Sequence, residues 1–311
     1  MSRTGLTALA GAAIILTMTS AVVPAATDDA ETCTREHGDA AIMACTRAIG
    51  SHRYAGRDLD VLHYDRGTAY YLKGDFDHAI ADFDQVIRNA PRYAIAFNGR
   101  AAAYQGKGDF DRAIAGYDAA IRLDPKFAAA VYSRGTAFFA KGDYARAIAD
   151  CDQAMRLDYD KGPAYFFRGL ANLYAGALPK ALADFTQSST LAPKFAAAAL
   201  WLDIAAQRSH LPSRLAEASA QVDMTRWPAP VIRLYLGQMT PEAVLAAADD
   251  RDAFTKSDQV CDANFYTGEW ALRRGASDEA AGLFRRAAAG CRRDSVEWAA
   301  ATAELKALGG R

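Results

Sequence analysis

Histidine and cysteine side chains are the residues of this 311-residue chain whose types could bind a metal ion or act in catalysis. The histidines are scattered, and none lies four residues from another, as two ligands on one helix face would. They are His37, His52, His63, His78 and His210. The five cysteines include no pair at the spacing of zinc ligands. A serine elbow, a phosphate loop and a close pair of carboxylates with a matched acid are likewise not found. We therefore predict a protein that is not an enzyme and that needs no metal ion or cofactor.

The amino-terminal segment has the composition of an export signal. Arg3 precedes a mostly apolar run from Leu6 to Val23, and the small residues Ala25 and Ala26 follow a proline. This pattern predicts a cleaved signal peptide over residues 1–25 and a soluble mature protein in a bacterial periplasm, without membrane insertion after cleavage. A membrane anchor that is retained is the alternative, because the run is long and its positive flank is weak.

One short motif recurs along the chain at a fixed interval. Lys-Gly-Asp followed by Phe or Tyr begins at Lys73, Lys107 and Lys141, so the interval is 34 residues. A unit of this length is typical of a helix-turn-helix repeat that cannot bury its apolar face alone. The chain is therefore expected to be an extended stack that offers its surface to a partner.

The residues inside each interval resemble the tetratricopeptide repeat. The first unit has, in register, His63, Arg66, Gly67, Tyr70, Ala79, Phe83 and Pro91. Three more units follow this pattern, although the fourth departs at Asn172, where the pattern expects an aromatic residue. The resemblance implies an all-α solenoid of antiparallel helix pairs that forms a right-handed superhelix, with four repeat units over residues 60–195.

The flanking segments are expected to cap this array. Residues 26–59 are predicted to form a short capping hairpin followed by a loop from Ser51 to Asp60, where Gly56 lies among mixed charges. Residues 196–311 are predicted to form degenerate helical pairs, one further repeat-like unit over 261–294, and a capping helix.

Four of the cysteines fall where the repeat pattern brings two helices side by side. Cys261 is expected at the start of one helix and Cys291 at the end of its antiparallel partner, and Cys33 and Cys45 face each other within the first hairpin. An oxidising compartment favours disulfides at both places. Cys151 is left as a buried apolar residue. The alternative is that all five are unpaired buried thiols.

The carboxy-terminal third carries a second resemblance. Trp227, the stretch 231–237, the stretch 264–270, and Val296-Glu297-Trp298 are similar to the periplasmic lipoprotein family called new lipoprotein I. The resemblance spans residues 227–308. It implies an adaptor that presents peptidoglycan hydrolases to a carboxy-terminal processing protease. The chain departs from that family because no cysteine directly follows the apolar run.

Positions spaced i, i+4 and i+7 on the first helix of each unit are expected to line the concave face. The predicted groove residues are Tyr64, Thr68, Tyr71, Asn98, Gln105, Tyr132, Thr136, Phe139, Phe166 and Leu173. Their aromatic and weakly polar character suits an extended or helical peptide, with Asn98 and Gln105 free to bind its backbone. The alternative is that these aromatic residues pack only against neighbouring helices. Arg66, Arg100, Arg134 and Arg168 also recur, and we expect them to pair with Asp82, Asp150 and Asp184.

Charge argues against nucleic acid as a partner. Lys and Arg number 36 against 37 Asp and Glu, and no basic run is interleaved with aromatic residues. The sequence therefore predicts an exported adaptor or scaffold that binds a protein or peptide. The alternatives are a structural subunit of an envelope or secretion assembly, and a groove for a glycan or another non-protein ligand.

Overall fold

The structure is a computed structural model that describes residues 28–309, so the predicted signal peptide lies outside the described residues. Within this range the chain is all-α, with seventeen helices and no strand. The amino-terminal helices are α1 Asp29–Arg35, α2 Gly38–Gly50, α3 Gly56–Leu72, α4 Phe76–Asn89, α5 Ala94–Gly106, α6 Phe110–Leu123, α7 Ala128–Ala140, α8 Tyr144–Arg156, α9 Lys161–Tyr174 and α10 Leu178–Leu191. The remaining helices are α11 Ala196–Arg208, α12 Leu215–Ala218, α13 Ala229–Tyr235, α14 Pro241–Ala247, α15 Ala253–Arg273, α16 Ser277–Gly290 and α17 Val296–Ala307.

The recurring Lys-Gly-Asp motif is the turn between the two helices of each unit. Gly74 has φ of 77°, a left-handed conformation that glycine adopts without steric cost, and Gly108 and Gly142 repeat it. The following aspartates, Asp75 and Asp109, accept a hydrogen bond from a backbone N–H in the first turn of the second helix. The motif therefore ends one helix and starts its antiparallel partner.

Small residues allow the two helices of a unit to cross closely. A Cβ atom on Gly67 would lie 3.2 Å from both Asp82 and the ring of Phe83, which is buried. At Gly169 the same atom would lie 2.9 Å from the ring of Phe185. The aromatic ring of the second helix fills the space that the glycine leaves, as the sequence predicts.

An arginine–aspartate ladder joins the units. Arg134 donates to Asp150 in its own unit at 2.7 Å and to Asp118 in the preceding unit at 2.6 Å. Arg168 bonds Asp184 and Asp152 in the same way. Arg66 pairs with Asp82, as expected, whereas Arg100 pairs with Asp84, which is outside the expected set. All four recurring arginines are thus paired within the array. Asn172, in place of an aromatic residue, donates to Asp184 at 2.8 Å.

The amino-terminal cap is a hairpin of α1 and α2. The sulfur atoms of Cys33 and Cys45 lie 2.11 Å apart and cross-link its two helices. The connection to the array is shorter than expected, because α3 begins at Gly56 and the loop spans only residues 51–55. Residues 56–60, expected in the loop, are the first residues of α3, and Leu62 in the same helix is buried.

The carboxy-terminal third continues the same core. Trp201 of α11 is fully buried and its ring stacks on Phe265 of α15, with centroids 5.4 Å apart. Cys261 and Cys291 are joined at 2.05 Å, and Arg208 binds the buried carboxylates of Glu269 and Glu304. The carboxy-terminal third of the chain therefore packs against the last repeat unit and shares one core with it.

One helix of this third differs from the predicted bounds. The first helix of the last pair, α15, begins at Ala253 rather than near Cys261, because Asp252 caps it by accepting from Thr255 N–H. Within residues 213–222 the structure has only the single turn of α12. Thr240 caps α14, accepting from Ala243 N–H. Among the described helices, none has the length and apolar character needed to span a membrane.

Candidate partner-binding groove

The first helices of the repeat units line the inner side of the stack. Successive first helices, α3 with α5, α5 with α7 and α7 with α9, contact one another in addition to their own partner helices. Helices on the inside of a curved stack lie closer together than those outside. The inner face is therefore the surface on which the predicted groove residues are to be located.

One edge of this face is open to solvent. We call its side chains the rim: Val61, Tyr64, Tyr93, Ile95, Asn98 and Tyr132. Three of them are large apolar residues with high exposure, namely Val61 at 41%, Ile95 at 39% and Tyr93 at 38%. Exposed apolar side chains that lie together mark a surface for a partner rather than a surface for water alone.

The two predicted tyrosines of the rim are held in place by other rings. The ring of Tyr64 lies 5.5 Å from that of Phe83 and 6.3 Å from that of Tyr93. Tyr132 stacks on Tyr159 with centroids 4.3 Å apart. Both side chains are half-buried, and burial raises their pKa above that of free tyrosine. They therefore form a fixed aromatic wall.

The two amides that were expected to bind a peptide backbone have different surroundings. Gln105 is buried, where it accepts from the Tyr117 hydroxyl at 3.0 Å and donates to the Thr136 hydroxyl at 3.1 Å. Asn98 is half-buried, and among the described residues no donor reaches its Oδ1 atom. A buried acceptor without a partner costs stability unless a ligand or water supplies a donor. Of the two amides, Asn98 is therefore the one whose oxygen lacks a donor among the described residues.

The other end of the groove is closed by the chain's own carboxy-terminal segment. The Tyr71 hydroxyl donates to Asp294, in the loop between α16 and α17, at 3.3 Å. Burial, and then the charge of Asp294, raise the pKa of Tyr71 to about 12. Beside it the ring of Trp298 lies 5.5 Å from that of Phe110. The two predicted threonines of the groove, Thr68 and Thr136, each donate to a carbonyl of their own helix.

Three predicted residues of the third and fourth units belong to the core. Phe139, Phe166 and Leu173 are buried, with exposures of 4%, 2% and 6%. Phe166 packs against Phe185 of the second helix of its own unit, with centroids 6.0 Å apart, although it was expected to point away from that helix. The structure therefore shortens the groove to the first two units and the start of the third.

Three rim residues, Val61, Tyr93 and Ile95, were not among the predicted groove residues. Val61 and Ile95 lie three residues before Tyr64 and Asn98, one helical turn closer to the start of the first helix. Extending the i, i+4, i+7 pattern backwards by one turn would have found them. No local sequence pattern predicts that the carboxy-terminal segment covers the other end of the groove, because Tyr71 and Asp294 are 223 residues apart in sequence.

The described residues hold one group of side chains with metal-ligand chemistry. It consists of Cys261, Asp262 and Glu297, whose ligand atoms lie within 4.8 Å of one another. The sulfur of Cys261 is bonded to Cys291, so it cannot supply a thiolate. Burial and the neighbouring carboxylates raise the pKa of Asp262 to about 6 and that of Glu297 to about 8. Asp262 accepts a hydrogen bond from the indole of Trp227 at 2.8 Å.

Comparisons with known proteins agree with the repeat pattern. Tetratricopeptide repeat families match residues 61–93 and 98–163, so these segments are tetratricopeptide repeats. A search of curated protein sequences finds no match.

Solved structures share the architecture. A tetratricopeptide repeat protein from Parabacteroides merdae is 16% identical, with a TM-score of 0.51 over 86% of this chain and 91% of that protein. A Pseudomonas aeruginosa pilF structure is 16% identical over 79% of this chain and 97% of its own, with a TM-score of 0.49. A MamA protein structure is 24% identical over 51% of this chain and 87% of its own, with a TM-score of 0.45. The first of these supports the fold alone.

Proposed function

We propose that this tetratricopeptide repeat chain is an exported protein-interaction scaffold that holds a segment of a partner protein along the rim of its concave face. The observation that carries the proposal is the combination of exposed apolar side chains, Val61 and Ile95, with the unbonded Oδ1 atom of Asn98. Apolar side chains supply affinity by losing contact with water, and an amide fixes the register of a peptide backbone.

The shape of the groove limits what the scaffold holds. Asp294 and Trp298 close one end of the inner face, and the core fills it beyond Tyr132. A bound segment therefore runs past the first helices of the first two units, in contact with α3, α5 and the start of α7. The partner contributes a short extended or helical segment with apolar side chains.

Export is supported by two observations. The apolar run from Leu6 to Val23 has the pattern of an export signal, and two cysteine pairs lie at disulfide distance. Disulfides persist in oxidising compartments such as the bacterial periplasm. We place the scaffold there as a soluble protein.

A role in envelope protein turnover follows from the resemblance of residues 227–308 to new lipoprotein I. In this proposal the carboxy-terminal third binds a processing protease, and the rim holds the protein that is presented to it, such as a peptidoglycan hydrolase. The two contacts use different surfaces, because the rim lies on α3, α5 and α7.

The test is affinity capture from the envelope fraction with three forms of the protein. Val61→Ser with Ile95→Ser removes the rim's apolar contacts without touching the core. Met43→Ser with Leu211→Ser is the matched control, since these side chains are exposed by 56% and 51% away from the rim. The proposal predicts a protein captured by the unaltered chain and the control but reduced about tenfold by the rim variant. Equal capture by all three forms contradicts it.

A further inference from the structure

The segments that connect one unit to the next form a second exposed surface, which we call the inter-unit edge. It comprises residues 51–55, 88–95, 122–127, 156–161 and 191–195, each joining a second helix to the following first helix. Tyr93 and Ile95 belong both to this edge and to the rim, so the two surfaces meet there. Because every unit has the same path, these segments follow one another along one side of the stack. The Lys-Gly-Asp turns lie on the opposite side.

Cations on the two sides have different surroundings. On the Lys-Gly-Asp side, Lys107 and Lys141 bind Asp77 and Asp111. On the inter-unit edge Arg88 and Arg122 recur at 34 residues, and so do Arg92 and Lys126. All four are exposed, and among the residues that the structure describes no carboxylate lies at salt-bridge distance from any of them. Their charges are available to an anionic partner.

The segments 88–95 and 122–127 contain little acidic charge of their own. Asp124 is the single carboxylate within residues 88–95 and 122–127, and it accepts a hydrogen bond from the backbone N–H of Lys126. In the segment 156–161, Arg156 and Lys161 are balanced by Asp158 and Asp160. The cationic part of the edge is therefore concentrated in the two turns that contain Arg88, Arg92, Arg122 and Lys126.

Large apolar side chains accompany these cations. Leu123 is 37% exposed beside Arg122, and Leu191 and Phe195 are 52% and 38% exposed further along the edge. Exposed apolar residues beside Arg and Lys, as Leu123 lies beside Arg122, are typical of surfaces that meet a bilayer, where the apolar groups enter the interface and the cations meet phosphates.

The position of the amino terminus supplies an independent argument. Asp28, the first described residue, accepts hydrogen bonds from Arg53 and Tyr54 at 2.8 Å, both in the first turn of the inter-unit edge. The apolar run that ends at Val23 therefore joins the folded part on this side. A membrane in which that run is inserted faces the same side of the stack.

We infer that the inter-unit edge docks on the surface of an anionic lipid bilayer. The contact is peripheral, and it leaves the carboxy-terminal third and the rim residues other than Tyr93 and Ile95 free for protein partners. It would hold the scaffold at the membrane whether the apolar run is cleaved or retained.

Vesicle sedimentation tests the inference with the chain that starts at Thr27. All described helices and their contacts lie within residues 28–309, so this form keeps the described fold and lacks the apolar run. We expect it to sediment with phosphatidylcholine vesicles in which a third of the lipid is phosphatidylglycerol. We expect little sedimentation with phosphatidylcholine alone, and a decrease as salt is added.

Two charge-reversal variants locate the contact. The edge variant carries Arg88→Glu, Arg92→Glu, Arg122→Glu and Lys126→Glu. The control carries Lys180→Glu, Arg251→Glu, Arg285→Glu and Lys306→Glu, which are exposed cations elsewhere, so the two variants have the same net charge. The edge variant should lose at least about tenfold in vesicle partitioning, and the control should lose much less. If the edge variant fails to fold, the pair Arg92→Glu with Lys126→Glu replaces it.

Three results would overturn the inference. The first is no preference for anionic vesicles, and the second is an equal loss in the edge variant and the control. The third is retention of the unaltered protein on a soluble polyanion such as dextran sulfate without vesicle binding, which would assign the edge to an anionic polymer.

Discussion

Ala101 and Gly116 face each other where the two helices of the second repeat unit cross, with the glycine on the second helix. In the other three units the glycine is on the first helix. Elsewhere a glycine of the first helix faces an aspartate of the second, as Gly135 faces Asp150. In the second unit the alanine is on the first helix, and a Cβ atom on Gly116 would lie 2.8 Å from the Cβ atom of Ala101. The crossing thus holds one small and one larger residue in either order.

The exchange leaves Arg100 without one of its bonds. Arg134 and Arg168 bond an aspartate in their own unit, whereas Arg100 bonds only Asp84 of the preceding unit, and its Nε atom is buried without a partner among the described residues. We predict that Gly116→Asp alone lowers the free energy of unfolding by about 1–3 kcal/mol, because the crossing is overpacked.

Ala101→Gly combined with Gly116→Asp should recover that loss, since it restores the pattern of the other units and gives Arg100 its carboxylate. A double-mutant cycle by urea denaturation measures the coupling, which we expect to be about 1–3 kcal/mol and favourable. Additive effects of the two substitutions would show that the crossing does not couple them.

Among the charged residues of the carboxy-terminal third, Arg208 is predicted to be the one whose substitution lowers the free energy of unfolding most. It binds the buried carboxylates of Glu269 and Glu304, whose side chains are 4% and 5% exposed. Arg208→Ala leaves two buried charges without a cation and should cost about 3–5 kcal/mol in urea denaturation. Arg214→Ala is the control, because its pair with Glu217 is exposed and should change stability by less than about 1 kcal/mol.

The carboxyl groups of Asp262 and Glu297 should make stability depend on pH. Burial, and then the charge of Asp262, raise the pKa of Glu297 from 4.5 to about 8. Burial, helped by the charge of Asp258, raises the pKa of Asp262 from 3.8 to about 6. Between its ordinary and its raised pKa, each of these carboxyl groups holds its proton in the folded state and loses it in the unfolded state. The free energy of unfolding is therefore highest at low pH and falls as pH rises through this range. Thermal denaturation should show a falling midpoint between about pH 5 and 8.

Glu297→Gln should flatten this dependence and raise the midpoint at pH 8, because a neutral amide replaces the carboxylate that is costly to ionise. The exposed Glu279→Gln serves as a control that should leave the profile unchanged. A midpoint that rises with pH in the unaltered protein would contradict the assignment of raised pKa values.

Thiol counting tests the cysteine pairing. The denatured protein without reductant should show one free thiol, that of Cys151. The native protein should show none that reacts quickly, because Cys151 is buried and burial raises its thiol pKa to about 12. Three free thiols after denaturation would contradict one of the two disulfides, and five would contradict both.

The local parts of this architecture were predictable from sequence. The fixed interval, the glycine and aspartate of each turn, and the facing positions of Cys261 and Cys291 depend on residues within one helix pair. The long helix α15 was predicted too short, because its start depends on the cap at Asp252, which lies outside the repeat pattern.

The candidate site was predictable only in part. Helical spacing places Tyr64, Asn98 and Tyr132 at equivalent positions of successive first helices, which is the basis for assigning them to one rim. Phe166 and Leu173 are buried because α11 and the carboxy-terminal helices pack against the fourth unit. That packing joins residues far apart in sequence, and helical spacing within one unit carries no information about it.

Site-specific photo-crosslinking in cells tests the central claim most directly. A photoreactive side chain placed at Val61 or Ile95 lies on the rim, whereas one placed at Ala81 or Ala115 lies exposed on the second helices, on the outer face. The account predicts that both rim positions crosslink to the same partner protein, identified by mass spectrometry, and that the outer positions do not. Crosslinks to a partner from Ala81 and Ala115 alone would contradict a scaffold that binds through its concave rim.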